Sequence, residues 1–497
     1  MDGNLYSLLR SRFDKAMDRP VFAGADGGVV RYGELDELSA RLAAVLAARG
    51  VAPGDRVAVQ VEKSVAAVAL YLACLRCGAV FVPLNTAYTD AEVDHVLRDA
   101  EPRILVSSLA RQAAGRRCEI LGTTPDSPLW AEALRTRPLE EVAARSPGDL
   151  AAIVYTSGTT GAAKGAMTSH GNLAANGRTL AELWGFRRED VLLHALPIYH
   201  VHGLFVALHC AMLGASTVLF LPKFDAAQVR GLLPRSTVMM GVPTFYTRLL
   251  SLPQFGREDC RSMRLFLSGS APLLADTHRE FEARSGHRIL ERYGMTETGM
   301  ITSNPLDGER VAGTVGFALP DVEVRIIRED GSAAAVDEAG VLEVRGPNVF
   351  RGYWRLPEKS AREFRADGFF LTGDIATCDA AGRITLVGRA KDLIITGGLN
   401  VYPREIEELL DALPGVEESA VVGVPDKDFG EAIVAVIVRK SGSDIDEAAI
   451  MDAVRARLAR FKHPRRVLFA GELPRNAMGK VQKKVLRERC VASAAAD

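Results

Sequence analysis

The chain lacks an excess of either charge. Its 61 Lys and Arg against 62 Asp and Glu leave a formal net charge of −1 over 497 residues. No polybasic arm is visible, so the electrostatic footprint of a nucleic-acid binder is missing. It also lacks an unbroken apolar run. The most apolar stretch, 191–222, is interrupted by His194, Pro197, His200, His202 and His209, and reads as buried core, not as a membrane span. Met1-Asp-Gly-Asn shows neither a charged n-region nor an h-region, so no secretory signal is expected. Seven scattered cysteines, an odd number, argue against a disulfide framework and for a reducing cytoplasm. Cys74 and Cys77 form a CxxC with no partner pair and no thioredoxin-like context, so two thiols on a packed helix are expected. No internal repeat is found.

What is present is ordinary globular composition, 48% apolar and 25% charged, at a length that implies two or three domains. Through the first ~150 residues helical and strand patterns alternate. Tyr32–Leu46 has apolar residues at helical spacing, Arg56–Val61 reads as a strand, and 65–77 as a helix. Ala79–Pro83 and Arg103–Ser107 follow as strands. The pattern resumes at Ser236–Met240 and Met263–Leu267. This is an α/β chain of layers with largely parallel strands. Near residue 390 the pattern changes, with Thr396-Gly-Gly398 as a flexible junction. Helix 404–410, strands 418–423 and 432–438, helix 446–458 and strand 466–469 then make a compact α+β unit. The expected domains are therefore 1–390, a large N-terminal domain of layered subdomains, and 391–497, a small mobile C-terminal domain. The tail 491–497 is expected to fray.

One string stands out: Tyr155-Thr-Ser-Gly-Thr-Thr-Gly-Ala-Ala-Lys-Gly165. It follows an apolar strand, Leu150–Tyr155. Glycines let a backbone wrap closely around an anion. Thr156, Ser157, Gly158, Thr159, Thr160 and Lys164 then supply a polyphosphate clamp. It is not a Walker loop, which needs four residues before Gly-Lys-Ser/Thr and a helix directly after. Here Gly165-Ala-Met-Thr continues as a second strand. A plain Gly/Thr hairpin is the bland alternative.

The string resembles the phosphate loop of the acyl-adenylate-forming superfamily, which comprises acyl-CoA synthetases, adenylation domains and luciferases. The departure is Ala163, where the family usually has proline. Further strings follow in the family's order: Ser268-Gly-Ser-Ala-Pro272, Glu291-Arg-Tyr-Gly-Met-Thr-Glu297, Thr372-Gly-Asp374, Gly388-Arg-Ala-Lys-Asp392 and Pro474-Arg-Asn-Ala-Met-Gly-Lys480. The resemblance implies that Ser270, Ala271, Glu291 and Tyr293 serve ATP near adenine. It implies that Thr296 contacts the α-phosphate, Glu297 helps bind Mg²⁺, and Asp374 and Arg389 reach the ribose. Lys480 is then the adenylation lysine, Lys391 the hinge, and Gly397 and Gly398 the close approach for the pantetheine of coenzyme A. The implied reaction makes an acyl-AMP from ATP and a carboxylic acid, releases pyrophosphate, and then passes the acyl group to CoA. Lys480, in a Gly-Lys turn of a mobile domain, is also a candidate for a lysine acetyltransferase.

The acid is read from other residues. The sequence is similar to malonyl-CoA synthetases, which cover methylmalonate as well, in His194-Ala-Leu-Pro-Ile-Tyr-His-Val-His-Gly, Met240-Gly-Val-Pro-Thr-Phe-Tyr-Thr-Arg248 and Pro347–Trp354. Burying Arg248 would be costly without an anion, and the second carboxylate of a dicarboxylate would supply one. Its alternative is a plain solvent-facing arginine. His200, Val201 and Met295 are expected to line the acid pocket, with His200 as its gate. Neither His200 nor His202 has a third metal ligand at suitable spacing. Competing readings are a CoA ligase for a monocarboxylic acid, an enzyme loading a carrier protein, and a non-catalytic nucleotide-binding relative.

Overall fold

The computed structural model describes residues 3–24, 27–110, 117–156, 163–396, 399–426, 429–476 and 479–494. Two sheets form the larger part. The nine-stranded one runs from Phe317–Ala318 through Gly299–Ser303, Leu290–Met295, Leu265–Ser268, Val238–Gly241 and Val191–His194 to the strands near the chain start. Its middle is parallel, from Leu290–Met295 across to Pro20–Ala23. The six-stranded sheet is parallel until its last pair, where Leu150–Thr156 meets Lys164–Ser169 antiparallel. The glycine-rich string therefore joins two paired strands, as its sequence implies.

Strands in such sheets are buried on both faces and read as continuous apolar runs. The helix Val65–Arg76 between them is buried at every position but its first, with Ser64 capping the Ala67 amide at 3.2 Å. Cys74 and Cys77 lie in this packing, and burial pushes both thiols up. They are core residues and poor nucleophiles. The stretch with five His and Pro interruptions is core too, part of it a π-helix over His202–Leu208. Among the described residues no helix is long and apolar enough to cross a membrane.

Within the nine-stranded sheet parallel order ends at Leu290–Met295, whose next neighbours pair antiparallel. The segment from Glu323 to Arg389 makes its own four-stranded antiparallel sheet, which the sequence reading did not separate. Register within it sets Asp374 opposite Arg389.

The C-terminal part has a core of its own. Strand Gly430–Arg439 sends Ile433, Ala435 and Ile437 into one cluster and Ala432, Val434, Val436 and Val438 into another. That is the period-two alternation of a strand covered on both faces. Helices Pro403–Asp411 and Glu447–Arg457 cover the first face and Lys483–Ala494 the second. Of the tail 491–497 expected to fray, 491–494 belong to this helix and 495–497 lie outside the described residues.

Candidate active site

Three strand ends meet over the cleft. Leu290–Met295 brings Tyr293, Phe370–Cys378 brings Asp374, and Ile384–Arg389 brings Arg389. The Tyr293 hydroxyl donates to Asp374 Oδ2, while Arg389 Nε pairs with Oδ1 at 2.6 Å. The Asp374 amide is held by Thr372 Oγ1 at 3.0 Å. Glu297 follows on the turn after the strand and is buried. Tyr353 lies 3.0 Å from its Oε1, and Thr156 donates to the same oxygen at 3.5 Å. Burial raises its carboxyl pKa, so the anion is left seeking a cation. Among the described residues no group of three His, Cys, Asp or Glu could cage a metal. A cation held by one carboxylate and a ligand's own phosphates is the pattern that suits Mg²⁺, and Glu297 fits it.

Lys480 reaches this cluster from the C-terminal part. Its turn is closed by Gly479 donating to the Asn476 carbonyl at 2.9 Å, and its amide is held by Asn476 Oδ1 at 3.0 Å. Gly479 has φ +72°, and a Cβ there would lie 3.0 Å from Thr244 Oγ1. Only glycine allows both the left-handed turn and this approach to the helix Pro243–Leu250. The Lys480 side chain is exposed at the surface of the C-terminal part. Desolvation where its ammonium nears the cluster and the Arg389 charge push its pKa down to about 8, with Asp374 opposing. Lys391, exposed, stands close enough to add to the effect.

Ser270 has φ +70°, and its Oγ lies 3.1 Å from His202 Nδ1. Ala271 is half-buried beside it. Glu291 is buried, accepts the Gly313 amide at 3.2 Å, and is pushed up to about 8 by burial. Val201 and Thr296 share a small cavity of about 20 Å³, and Met295 packs on the core edge. His200 accepts the His202 amide at 3.2 Å on Nδ1, and burial beside Arg292 holds it neutral, at about 4. Ser157, Gly158, Thr159, Thr160, Gly397 and Gly398 lie outside the described residues.

For Arg248 the sequence left two settings, paired with a substrate anion or facing solvent, and its side chain is exposed. On Pro243–Leu250 the inward residues are Phe245, Tyr246, Leu249 and Leu250, and helical spacing puts Arg248 outside them. It shares a face with Thr244, four residues earlier, and so stands on the side that meets Gly479.

The buried guanidinium is Arg292, missed in the sequence. It is 3% exposed, and its Nε and Nη2 have no hydrogen-bond partner among the described residues. A Cβ on Gly269 would sit within 2.5 Å of its Cζ. His202 Nε2 and Ser268 Oγ are likewise buried without partners. His200, His202, Cys210 and Tyr246 surround it, and burial pushes it down to about 10. The signal available was an arginine inside the buried strand Leu290–Met295 at a position alternating with Glu291 and Tyr293. A second missed residue is Lys63, whose Nζ donates to His194 Nδ1 at 2.8 Å and to the His194 carbonyl at 2.9 Å. His194 Nε2 can then donate to the Gly203 carbonyl at 2.9 Å. This chain of bonds pins the loop that carries His200 and Val201.

The AMP-binding enzyme model matches residues 9–354, and the AMP-binding enzyme C-terminal domain model matches 405–480. The chain is 38% identical to the mitochondrial malonate–CoA ligase of Mus musculus, over 87% of this chain and 81% of that one. It is 37% identical to a feruloyl-CoA synthase of an Amycolatopsis species, over 93% and 94%. Among solved structures, ATP-bound MatB from Rhodopseudomonas palustris is 52% identical and superposes with a TM-score of 0.96, covering 98% of this chain and 99% of that one. The apo form of that protein, equally identical and equally covered, gives 0.85.

Proposed function

Because the chain belongs to the AMP-binding enzyme family, we propose that it ligates malonate, and methylmalonate as well, to coenzyme A through an acyl-AMP, releasing AMP and pyrophosphate. Curated relatives of different acids are about equally similar, whereas MatB at 52% identity stands well above the structure of a benzoate CoA ligase at 28% and supports malonate. The observation that carries the choice is Arg292, a buried cation whose Nε and Nη2 find no acceptor among the described residues. A desolvated charge of this kind calls for an anionic partner. The second carboxylate of malonate provides it, with Ser268 and His202 offering further polar contacts. Arg248 stands at the rim and attracts the dianion.

The chemistry follows from where the charges are. A carboxylate is a poor acyl donor because oxide would have to leave, so its oxygen first attacks the α-phosphorus of ATP and pyrophosphate departs. Negative charge then crowds one phosphate, and the stabilisers must be cationic or well-aimed donors. We assign Lys480 to the gap between the incoming carboxylate and the α-phosphate, with Thr296 donating to that phosphate. Asp374 and Arg389 hold the ribose, while Tyr293, Glu291, Ser270 and Ala271 frame the adenine. Thr156–Thr160 and Lys164 hold the outer phosphates. Glu297 would hold Mg²⁺, which neutralises phosphate charge. In the second step the CoA thiol adds to the acyl carbonyl and AMP leaves with the bonding pair. We place the domain boundary and pivot at Lys391, with Gly397 and Gly398 along the pantetheine path. The likeness to the ATP-bound relative supports reading the arrangement described as the adenylating one.

Seven free cysteines support a reducing compartment, and we place the enzyme in the cytoplasm. We also propose that a lysine acetyltransferase modifies Lys480; mass spectra of cell-derived protein with only unmodified Lys480 would reject this. ATP–pyrophosphate exchange with malonate, methylmalonate, propionate, ferulate and benzoate tests the main reading. Exchange is expected with the first two acids, and preference for any monocarboxylate overturns it.

A further inference from the structure

One carboxylate at the polyphosphate end has no part in the chemistry above. Glu363 closes the helix Pro357–Glu363, and three groups converge on it. The Tyr353 hydroxyl lies 2.8 Å from its Oε2, Lys359 Nζ 3.0 Å from its Oε1, and Lys164 Nζ 3.9 Å from the same oxygen. Lys164, the lysine of the glycine-rich string, is only 13% exposed, and its ammonium rests 4.2 Å over the Tyr353 ring. The Tyr353 hydroxyl also faces Glu297 at 3.0 Å, but a phenol has one proton and donates to one carboxylate at a time.

Two features of this cluster matter. The Lys164 contact is the longest of the three, at the limit of an ion pair. Glu363 can also lose it without being stranded, because Lys359 and Tyr353 remain as partners. Backbone pairing fixes the rest: Trp354 donates to the Gly165 carbonyl at 2.8 Å, and Tyr353 to Ser360 Oγ at 2.8 Å. The lysine and its carboxylate are thus held in register by the strand that follows the loop.

We propose that Glu363 stands in for the outer phosphates of ATP. It neutralises Lys164 before ATP arrives, yields the ammonium to the β- and γ-phosphates, and takes it back as pyrophosphate leaves. Glu363 is a positioning residue that acts through Lys164, and its role is to keep pyrophosphate from being held too tightly. This rests on the reading of the string as an ATP clamp.

The test is calorimetric titration of the full-length protein with inorganic pyrophosphate and, separately, AMP, both with Mg²⁺. Glu363→Gln keeps an acceptor for Tyr353 and removes the competing charge. It should bind pyrophosphate about tenfold tighter and AMP unchanged, since one fewer negative charge faces a polyanion at close range. Glu363→Asp, too short to reach Lys164, should shift the same way and serves if the amide disturbs folding. In a Lys164→Met background the added Glu363→Gln should change pyrophosphate binding far less. Equal or weaker pyrophosphate binding by Glu363→Gln overturns the proposal, weaker binding meaning that Glu363 serves the cation. An undiminished effect without Lys164 overturns it as well. If the wild type does not bind pyrophosphate, the clamp reading itself is what fails.

Discussion

At the polyphosphate end of the cleft Lys164 and Lys359 share the Glu363 carboxylate. At the acid end Arg292 keeps Nε and Nη2 without an acceptor among the described residues. The first arrangement suits a ligand that must come and go, because each charge has a protein partner to return to. The second suits selection. A guanidinium with two donors unsatisfied among the described residues favours an acid bringing its own negative charge, and disfavours one that leaves the cation buried alone. Exchange and recognition are thus separated by how far the protein completes its own ion pairs.

Lys480 belongs to neither end, and removing it sharpens the contrast. Lys480→Ala should lower malonate-dependent pyrophosphate release by about a thousandfold or more, as loss of a transition-state donor does. Thioester formation from preformed malonyl-AMP should persist. A variant that still releases pyrophosphate at the normal rate breaks the assignment.

Arg292→Met strikes the acid end. Malonate activation should fall about a hundredfold or more, the scale for losing one partner of a desolvated charge pair. Propionate activation should change little. Thermal stability should hold or rise, because an uncompensated buried cation gives way to an apolar chain. Equal losses for both acids, or a sharp fall in Tm, would make Arg292 structural.

The adenylation step should also respond to pH. Lys480 is pushed down to about 8, so its ammonium is intact at pH 7 and mostly lost by pH 9. Stopped-flow measurement of pyrophosphate release should show about a tenfold decline across that range. The second half-reaction should not follow it, and a shared profile would assign the titration elsewhere.

Arg248→Ala should have the smallest effect. An exposed charge contributes about 1 kcal/mol or less, so malonate KM should rise about fivefold with kcat nearly unchanged. A loss as large as that of Arg292→Met would return the main anion contact to Arg248.

Much of this was legible in the chain. The buried strands are continuous apolar runs, the C-terminal strand alternates, and the glycine-rich string has a composition whose conformational demands are local. The ATP-side residues sit in contiguous motifs for the same reason: strand ends and turns fix each motif's geometry within a few residues. The acid end was read less well. Arg248 drew attention because a helix follows Gly241-Val-Pro243, but which face of a helix is buried depends on what packs against it. Arg292 was hidden inside Glu291–Glu297 because the flanking residues had roles and it had none. Lys63 and Glu363 carry no motif at all.

The sequence by itself determined a turn suited to phosphate oxygens, because hydroxyls, glycines and one lysine between two strands offer donors at close range; ATP and an acid followed from the resemblance of its ordered motifs to the acyl-adenylate-forming superfamily. The tertiary structure alone decided which charges are paired. Asp374 meets Arg389 through strand register, Lys480 meets both from a separate core, and packing leaves Arg292 Nε and Nη2 without an acceptor among the described residues. Pairing is a matter of distance and dielectric, and those are set by residues far apart in the chain.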